Sequence, residues 1–110
     1  MFFLALATDY DGTLAADGKA DPDAMAGLQR LRKSGRKIIL VTGRELSDLT
    51  VACPELDVFD LVVAENGATL YDPATKDEQV LAPAASADLV SYLEKAGVNP
   101  LSVGHSIVAT

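Results

Sequence analysis

Two aspartates stand two residues apart near the start of the chain, in the segment Asp9-Tyr10-Asp11-Gly12-Thr13. A carboxylate can act as a nucleophile and form an aspartyl-phosphate, which divides one difficult displacement into two easier steps. A second carboxylate can protonate the leaving oxygen and later deprotonate water. Carboxylates also supply the oxygen ligands that Mg²⁺ prefers. The spacing therefore favours metal-assisted phosphoryl transfer, with a calcium-binding or merely solvated acidic loop as the alternative.

The residues around the pair place it at the end of a strand. The apolar run Phe2–Ala7 lacks alternation, which predicts a strand over Phe2–Thr8 that is buried on both faces of a parallel sheet. If the backbone stays extended, the period of two puts Asp9 and Asp11 on the same side. Gly12 then allows a tight turn that exposes backbone N–H groups to phosphate oxygens. Ligands of open α/β sheets bind beyond the carboxyl ends of strands, where this pair stands.

Strand and helix patterns alternate in the next fifty residues. Asp21-Pro22 marks a helix start, because aspartate suits the N-cap and proline the first helical position, and Gly35 suits the end of that helix. Apolar strands are predicted over 37–42 and 61–64, with a short helix over 45–52 between them. The order β-α-β-α-β with short connections predicts an α/β fold with a Rossmann-like, three-layer parallel sheet and right-handed crossovers.

The pattern changes after the third strand. Two strand-like segments around an Asp-Pro turn predict a β-hairpin over 68–82. Ser86 is suited to cap a helix that runs to about Ala96. Residues 101–110 then alternate, which predicts one strand with the single histidine, His105, on its apolar face. A structural role in that strand is the preferred interpretation, so His105 is not placed in the site.

Composition limits the classes of function. The chain has 110 residues, 49 % of them hydrophobic and 23 % charged, which is typical of one globular domain. The formal net charge of −7 argues against binding to nucleic acid or to an anionic membrane, because phosphate contacts need Lys and Arg. Five of the nine basic residues cluster near the end of the first helix, where they are interpreted as a solvated face that complements the helix dipole rather than as a nucleic-acid patch.

Cysteine content and the first residues bear on the compartment. Cys53 is the single cysteine, so an intrachain disulfide is impossible, and we interpret it as a small buried hydrophobe rather than a nucleophile. The run 2–7 is too short to span a bilayer and has no basic residues before it. We expect a cytoplasmic protein without a membrane partner.

Three motifs at strand ends resemble those of one enzyme family. Asp9-Tyr10-Asp11-Gly12-Thr13-Leu14 resembles the first signature of the haloacid dehalogenase (HAD) superfamily, and Val41-Thr42-Gly43-Arg44 resembles the second. Glu65-Asn66-Gly67-Ala68, followed by a hairpin, is similar to the Cof-like, type IIB-capped branch, which includes sugar-phosphate phosphatases. The resemblance implies an N-terminal part of the HAD core over 1–83 and the beginning of an α/β cap over 84–110.

The resemblance also implies roles for individual residues. Asp9 would be the nucleophile and a metal ligand, and Asp11 would be the general acid/base with its main-chain carbonyl on Mg²⁺. Gly12 and Thr13 would belong to the phosphate-binding turn. Thr42 would donate its hydroxyl to the transferring phosphoryl group.

The remaining residues of the second and third motifs have open assignments. Gly43 would provide a backbone donor or a close approach. Arg44 either contacts phosphate or substrate or forms a salt bridge at the start of a helix. Asn66 either lines the substrate side or serves only to form its Asn-Gly turn.

Two features of the family are missing from the sequence. Members need a downstream lysine that neutralises the phosphoryl group and a later acidic pair that completes Mg²⁺ coordination; Lys76 and Lys95 stand in a hairpin turn and at a helix end. We therefore expect the N-terminal part of a larger hydrolase, inactive by itself. Family topology places the missing strands on the far side of the first strand, so that strand is expected at a sheet edge, where self-association is plausible.

These observations lead to a functional hypothesis with alternatives. The leading one is a Mg²⁺-dependent phosphomonoester hydrolase that acts on a small phosphorylated metabolite, with a sugar phosphate as a candidate. A noncatalytic phosphate- or metal-sensing module would need Asp9 and Thr42 but no lysine or distal acids. A phosphoacceptor receiver domain is less suitable, because its aspartate would end the third strand, where this chain has Glu65-Asn66.

Overall fold

A computed structural model describes residues 4–110, so Phe2 and Phe3 of the predicted first strand lie outside the described residues. The described residues form nine strands and three α-helices, with short 3₁₀ turns at Leu56–Val58 and Glu65–Gly67. In chain order the strands and α-helices are β1 (Ala5–Asp9), β2 (Ala15–Ala16), β3 (Lys19–Ala20), α1 (Pro22–Lys33), β4 (Lys37–Val41), α2 (Leu46–Ala52), β5 (Leu61–Ala64), β6 (Thr69–Asp72), β7 (Asp77–Val80), α3 (Ala87–Lys95), β8 (Ser102–Val103) and β9 (Val108–Ala109).

Five strands form the main sheet in the order β1-β4-β5-β6-β7. The first three are parallel, with Asp9 opposite Val41 and Val41 opposite Val63, whereas β6 and β7 form the antiparallel hairpin. The predicted α/β class, the β-α-β-α-β order and the hairpin are confirmed.

The hydrophobic core lies on one face of this sheet. Alternate residues of the central strands are buried, namely Ile38 and Leu40 in β4 and Val62 and Ala64 in β5. Helices α1 and α2 contribute to the same cluster, through Met25, Leu28, Leu46 and Leu49. Both helices thus cover the same face, and residues 4–110 form two of the three layers that a doubly covered sheet would have.

Strand β1 differs from the prediction of burial on both faces. Leu6 is 39 % exposed and Leu4 is 81 % exposed. The reason is topological: β1 pairs only with β4, so it is an edge of the sheet, and the face away from α1 and α2 has no helix packed on it within the described residues. The expected edge position is confirmed, while self-association through it stays a prediction.

Helix α1 begins and ends at the residues that the sequence indicated. The Asp21 carboxylate accepts a hydrogen bond from the Asp23 N–H at 3.4 Å, Pro22 is the first helical residue, and Gly35 follows the helix with a φ of +95°. No helix within residues 4–110 has the length and the apolar character required to cross a bilayer.

The turn after Asp11 is followed by a short antiparallel pair, β2–β3. The prediction of a single strand over 101–110 is wrong. Residues 101–110 form the hairpin β8–β9 rather than one strand, because the chain reverses where the Gly104 N–H donates to the Ile107 carbonyl at 2.9 Å. His105 lies in this turn with its side chain 55 % exposed and its Nε2 3.8 Å from Glu78.

Candidate active site

The three parallel strands end at the same edge of the sheet, and each is followed by one of the sequence motifs. Asp9 is the last residue of β1, residues 42–44 follow β4, and residues 65–67 follow β5. The register places Asp9 opposite Val41, immediately before Thr42. Ligands of α/β sheets bind at this edge, so the topology brings the first two motifs together where chemistry is expected.

Tyr10 holds the acidic segment against the core. Its side chain is fully buried, and its hydroxyl lies 2.9 Å from the Gly18 carbonyl and 3.3 Å from the Ala52 carbonyl. Burial raises the pKa of the Tyr10 phenol. Asp9 and Asp11 on either side are exposed, and Asp9 Oδ1 accepts the Tyr10 N–H at 2.8 Å. No role is predicted for Tyr10 above, although a large apolar residue between two acids in a strand pattern is a signal for such an anchor.

The turn after Asp11 is tight, as predicted, but its N–H groups are engaged. Gly12 has a φ of +77°, which favours glycine. The Gly12 N–H donates to the Ala15 carbonyl at 3.0 Å, and the Thr13 N–H donates to the Tyr10 carbonyl at 3.3 Å. The expectation that this turn exposes N–H groups to phosphate is thus not met by these two, because they close the turn itself.

Arg44 forms the salt bridge that was one of its two expected roles. Its guanidinium donates to both carboxylate oxygens of Asp11 at 2.8 Å and to Asp48 Oδ2 at 2.8 Å, and it lies 5.5 Å from the centre of the Tyr10 ring. Hydrogen bonding by Arg44 lowers the pKa of the Asp11 carboxyl, and the same contact raises the pKa of Arg44. Asp48, in the first turn of α2, had not been singled out in the sequence.

Thr42 and Gly43 connect the second motif to the third. Thr42 is 3 % exposed; its Oγ1 accepts the Arg44 N–H at 3.1 Å, and its carbonyl accepts the Asn66 N–H at 3.2 Å. A Cβ at position 43 would lie 2.8 Å from Asn66 Oδ1, so a side chain there would have to displace the Asn66 amide. Asn66 has a φ of +56°, which suits its turn, and its side chain lies beside Gly43.

Glu65 lies at the edge of the candidate site, and no role is predicted for it from the sequence. It is 1 % exposed; its Oε2 accepts from the Thr69 hydroxyl at 3.0 Å, and its Oε1 accepts from the N–H groups of Ser106 at 3.0 Å and Ile107 at 3.1 Å. Burial alone would raise the pKa of the Glu65 carboxyl, but these hydrogen bonds outweigh burial and lower it. In the sequence, turn formation is a sufficient explanation for Glu-Asn-Gly. The burial of Glu65 gives no local signal, because two of its hydrogen-bond donors come from residues about forty positions later.

The C-terminal hairpin supplies one side of a pocket at this edge. Ser102, Ile107 and Ala109 face Asp11, Gly43 and Arg44 across an open space of about 410 Å³. The Ser102 hydroxyl also donates to Glu45 Oε1 at 2.5 Å. Ser102, Ile107 and Ala109 form the hairpin wall of this pocket, and Asp11, Gly43 and Arg44 form its core wall.

The donor set fits part of a magnesium site. Residues 4–110 contain no group of three or more His, Cys, Asp or Glu side chains placed to hold a metal ion. Mg²⁺, however, is usually bound by one or two carboxylates together with water and substrate phosphates. Asp9 offers an exposed carboxylate, whereas the Asp11 carboxylate is held by Arg44. Within residues 4–110, the exposed carboxylate of Asp9 is thus available to a magnesium ion as an oxygen ligand.

Comparison with known proteins identifies relatives of this chain. A family model described as haloacid dehalogenase-like hydrolase matches residues 6–109. A glucosyl-3-phosphoglycerate/mannosyl-3-phosphoglycerate phosphatase of Persephonella marina is 30 % identical over 71 residues, which are 64 % of this chain and 26 % of that protein.

Solved structures resemble the fold of this chain. A haloacid dehalogenase-like hydrolase of Bacillus subtilis superposes with a TM-score of 0.70 at 23 % identity, over 86 % of this chain and 34 % of that one. A HAD subclass IIB sugar phosphatase superposes with a TM-score of 0.66 at 21 % identity, over 94 % of this chain and 42 % of that one. These structures show the shared fold, and the chain spans well under half the length of each of these relatives.

Proposed function

Because the chain belongs to the haloacid dehalogenase-like hydrolases, we propose that it provides the nucleophile half of a Mg²⁺-dependent phosphomonoester hydrolase whose other half lies in a longer protein. The observation that carries this proposal is the position of Asp9 and Asp11 at the end of β1, beside the loop 42–44 that follows the neighbouring strand. Asp9, exposed at the end of a strand anchored by Tyr10, is available to a phosphate ester.

In the first step a carboxylate oxygen of Asp9 attacks the phosphorus atom. The bond from phosphorus to the ester oxygen breaks, and Asp11 gives its proton to the departing alkoxide, so that an alcohol leaves and an aspartyl-phosphate forms. Mg²⁺, when held by the Asp9 carboxylate and the Asp11 main-chain carbonyl, would neutralise negative charge on the phosphoryl oxygens.

In the second step water attacks the same phosphorus atom. Asp11, now a carboxylate, accepts a proton from this water, and the bond between phosphorus and the Asp9 oxygen breaks. Inorganic phosphate leaves, Asp9 is again a carboxylate, and Asp11 is again protonated, so the cycle closes.

Thr42 is suited to hold the phosphoryl group during both steps. Its Oγ1 accepts the Arg44 N–H, and a hydroxyl carries one donor besides its acceptor positions, so the O–H proton can be given to a phosphoryl oxygen. The absence of a side chain at Gly43 lets Asn66 approach the same loop, which supports contact of Asn66 with substrate.

Arg44 must change its partner during this cycle. While its guanidinium binds Asp11, it favours the charged carboxylate, which suits the base of the second step and opposes the acid of the first. A guanidinium binds phosphate with the same two-donor geometry that it uses for a carboxylate. We therefore propose that a bound phosphate ester takes Arg44 from Asp11 and leaves Asp11 free to carry a proton.

A phosphorylated sugar is the proposed substrate class. The curated relative is named a phosphatase of glucosyl- and mannosyl-3-phosphoglycerate, and one structural neighbour is a sugar phosphatase. The cytoplasmic location, the boundary between 1–83 and 84–110, and the absence of nucleic-acid and membrane partners stay predictions.

Phosphate release by the full-length protein that contains this sequence tests the proposal. We expect Mg²⁺-dependent hydrolysis of a generic aryl phosphate, reduced at least about a thousandfold in Asp9→Asn because the nucleophile is lost. Asp88→Asn, an exposed aspartate in α3, is the matched control and should retain the activity. Undiminished hydrolysis by Asp9→Asn would rule out the nucleophile assignment, and the 110-residue chain by itself should be inactive or very weak.

A noncatalytic phosphate- or metal-sensing module is the second candidate. The exposed carboxylate of Asp9 and the Thr42 hydroxyl would serve such a module, which needs no lysine. Calorimetry of the full-length protein with Mg²⁺ and inorganic phosphate distinguishes the two candidates. Binding without any hydrolysis would support the sensing module.

A further inference from the structure

The hairpin β8–β9 is attached to the core by hydrogen bonds, and the turn 104–107 is held by one buried carboxylate. Glu65 Oε1 accepts from two consecutive backbone N–H groups, those of Ser106 and Ile107, and its Oε2 accepts from Thr69 in the neighbouring strand β6. Hydrogen bonds to an ionised group are roughly twice as strong as neutral ones, and the 1 % exposure of Glu65 keeps water from competing.

Gly104 shows how closely the hairpin approaches this carboxylate. A Cβ added at position 104 would overlap Glu65 Oε1 and would lie 2.9 Å from Glu65 Cδ and 3.0 Å from Glu45 Cγ. Gly104 is not among the residues with a positive φ, so its backbone conformation suits any residue. Glycine is required here by the contact with Glu65.

The backbone of Glu65 is joined to the core wall of the pocket. Its N–H donates to the Arg44 carbonyl at 3.0 Å, and its own φ of +49° is unusual for a non-glycine residue. Strained conformations of this kind persist where surrounding contacts over-determine them, and they concentrate at functional sites. One residue thus contacts both sides of the pocket, the core wall through its backbone and the turn 104–107 through its side chain.

We infer that Glu65 is a positioning residue that seats the turn 104–107 and thereby sets the distance of the hairpin wall, Ser102, Ile107 and Ala109, from the core wall. If the protein has the proposed function, the hairpin wall contacts the alcohol part of the phosphate ester and contributes to the choice of substrate. This second part of the inference rests on the proposed function. The seating itself does not depend on any activity.

Amide hydrogen exchange of the 110-residue chain tests the seating. In Glu65→Ala, we expect the Ser106 and Ile107 amides to exchange at least tenfold faster, while the amides of β4 stay protected. Glu65→Gln keeps one acceptor oxygen without the charge, so it should restore part of the protection. Glu94→Ala, an exposed glutamate of α3, is the control and should change neither amide. Unchanged exchange at Ser106 and Ile107 in Glu65→Ala would overturn the inference.

Gly104→Ala gives a test that leaves Glu65 in place. In the wild-type background its methyl group should unseat the turn and raise exchange at Ser106 at least tenfold, whereas in the Glu65→Ala background it should add less than threefold. Gly27→Ala in α1, where a Cβ would lie 3.7 Å from Arg30 Nη2, is the control for a tolerated glycine replacement. Equal effects in both backgrounds would show that the Glu65 carboxylate is not what Gly104 accommodates.

Kinetics of the full-length protein test the contribution to substrate choice. If the hairpin wall contacts the alcohol, Glu65→Ala should raise KM about fivefold or more for a hexose phosphate and leave kcat and the KM for a small aryl phosphate within about twofold. A purely structural defect would lower the activity toward both substrates equally. This result would overturn the role in substrate choice. Absence of hydrolysis by the wild type would overturn the proposed function and this role, while amide exchange would still decide the seating.

Discussion

Helices α1 and α3 begin and end in the same way but pack very differently. Each has a side-chain N-cap, Asp21 in α1 and Ser86 in α3, and each is followed by a glycine with positive φ. Helix α1 buries Met25 and Leu28, whereas α3 buries none of its residues. The difference lies in the surface that is available to each helix, because α1 packs against a sheet and α3 has no comparable apolar surface within residues 4–110.

The two regions are therefore held by different forces. The core before residue 83 is held by apolar burial, which is non-directional and spread over many side chains. The C-terminal segment is tied to it by directional hydrogen bonds: those to Glu65, the one from the Ser102 hydroxyl to Glu45, and the one from the Ser106 hydroxyl to the Ala82 carbonyl at 2.7 Å. A structure held by a few directional bonds can be released by one substitution or by protonation without loss of the core.

The largest expected effect is on the free energy of unfolding, when a leucine is replaced by alanine in α1 and, for comparison, in α3. Leu28→Ala in α1 should lower the free energy of unfolding by about 2–5 kcal/mol, because it leaves a cavity beneath a side chain that is 6 % exposed. Leu89→Ala in α3, where the side chain is 46 % exposed, should change it by no more than about 0.5 kcal/mol. Urea unfolding of the 110-residue chain followed by circular dichroism measures both.

Equal losses from the two substitutions would contradict this comparison. They would show that α3 packs on an apolar surface in solution and that the C-terminal segment shares the core. The m-value should be unchanged in both variants, which would show that each unfolds between the same folded and unfolded states as the wild type.

The next effect is a release of the hairpin at low pH. The folded pKa of Glu65 is lowered, so the stability that its bonds contribute is present above the ordinary glutamate pKa of about 4.3 and is lost as the pH falls through the lower folded pKa. We expect the amide proton shifts of Ser106 and Ile107 to titrate with a midpoint below about 4.3. Proton NMR of the 110-residue chain between pH 7 and 2 measures them.

Glu65→Gln is the control for this titration, because it has no carboxyl group to protonate. The acid-dependent shifts of Ser106 and Ile107 should disappear in this variant. Shifts that persist in Glu65→Gln would show that another group causes them and would contradict the assignment to Glu65.

The core elements could be predicted from the sequence because their signals are local. The N-cap of α1, its apolar stripe and the apolar strands β4 and β5 are determined within a few residues, and the structure has them almost where they were expected. Strand β1 shows the limit of such signals. An apolar run indicates that a strand can be buried, but burial depends on which elements lie on its two sides.

The contacts at the site depend on residues far apart in the chain, and most of them could not be predicted. The buried state of Glu65 depends on Ser106 and Ile107, and the state of Arg44 depends on Asp11, 33 positions earlier. The alternation of 101–110 predicted a single strand because a hairpin and a strand share that pattern until the turn is identified. The motifs identified the strand ends that the sheet brings together, whereas the pairing of the charges there required the fold.

The smallest expected effect concerns Asp11, which is the exposed counterpart of Glu65. Both carboxyl groups have a lowered pKa, but the Asp11 side chain is 51 % exposed and has Arg44 as the first cause of its shift. In Arg44→Gln the pKa of Asp11 should rise toward the ordinary aspartate value of about 3.9, as measured by carboxyl-carbon NMR titration. In Asp48→Asn, which removes only the second partner of Arg44, it should stay low.

An Asp11 pKa that is unchanged in Arg44→Gln would show that the ion pair does not control this carboxyl. The expected small shift has a functional meaning, because a half-exposed ion pair contributes little stability and its partners can be exchanged. In the reaction that we propose, Asp11 needs such an exchange to act first as acid and then as base, whereas Glu65, buried among fixed donors, keeps its partners. An exposed carboxylate can change partners during a reaction, and a buried one can hold the turn 104–107 in place.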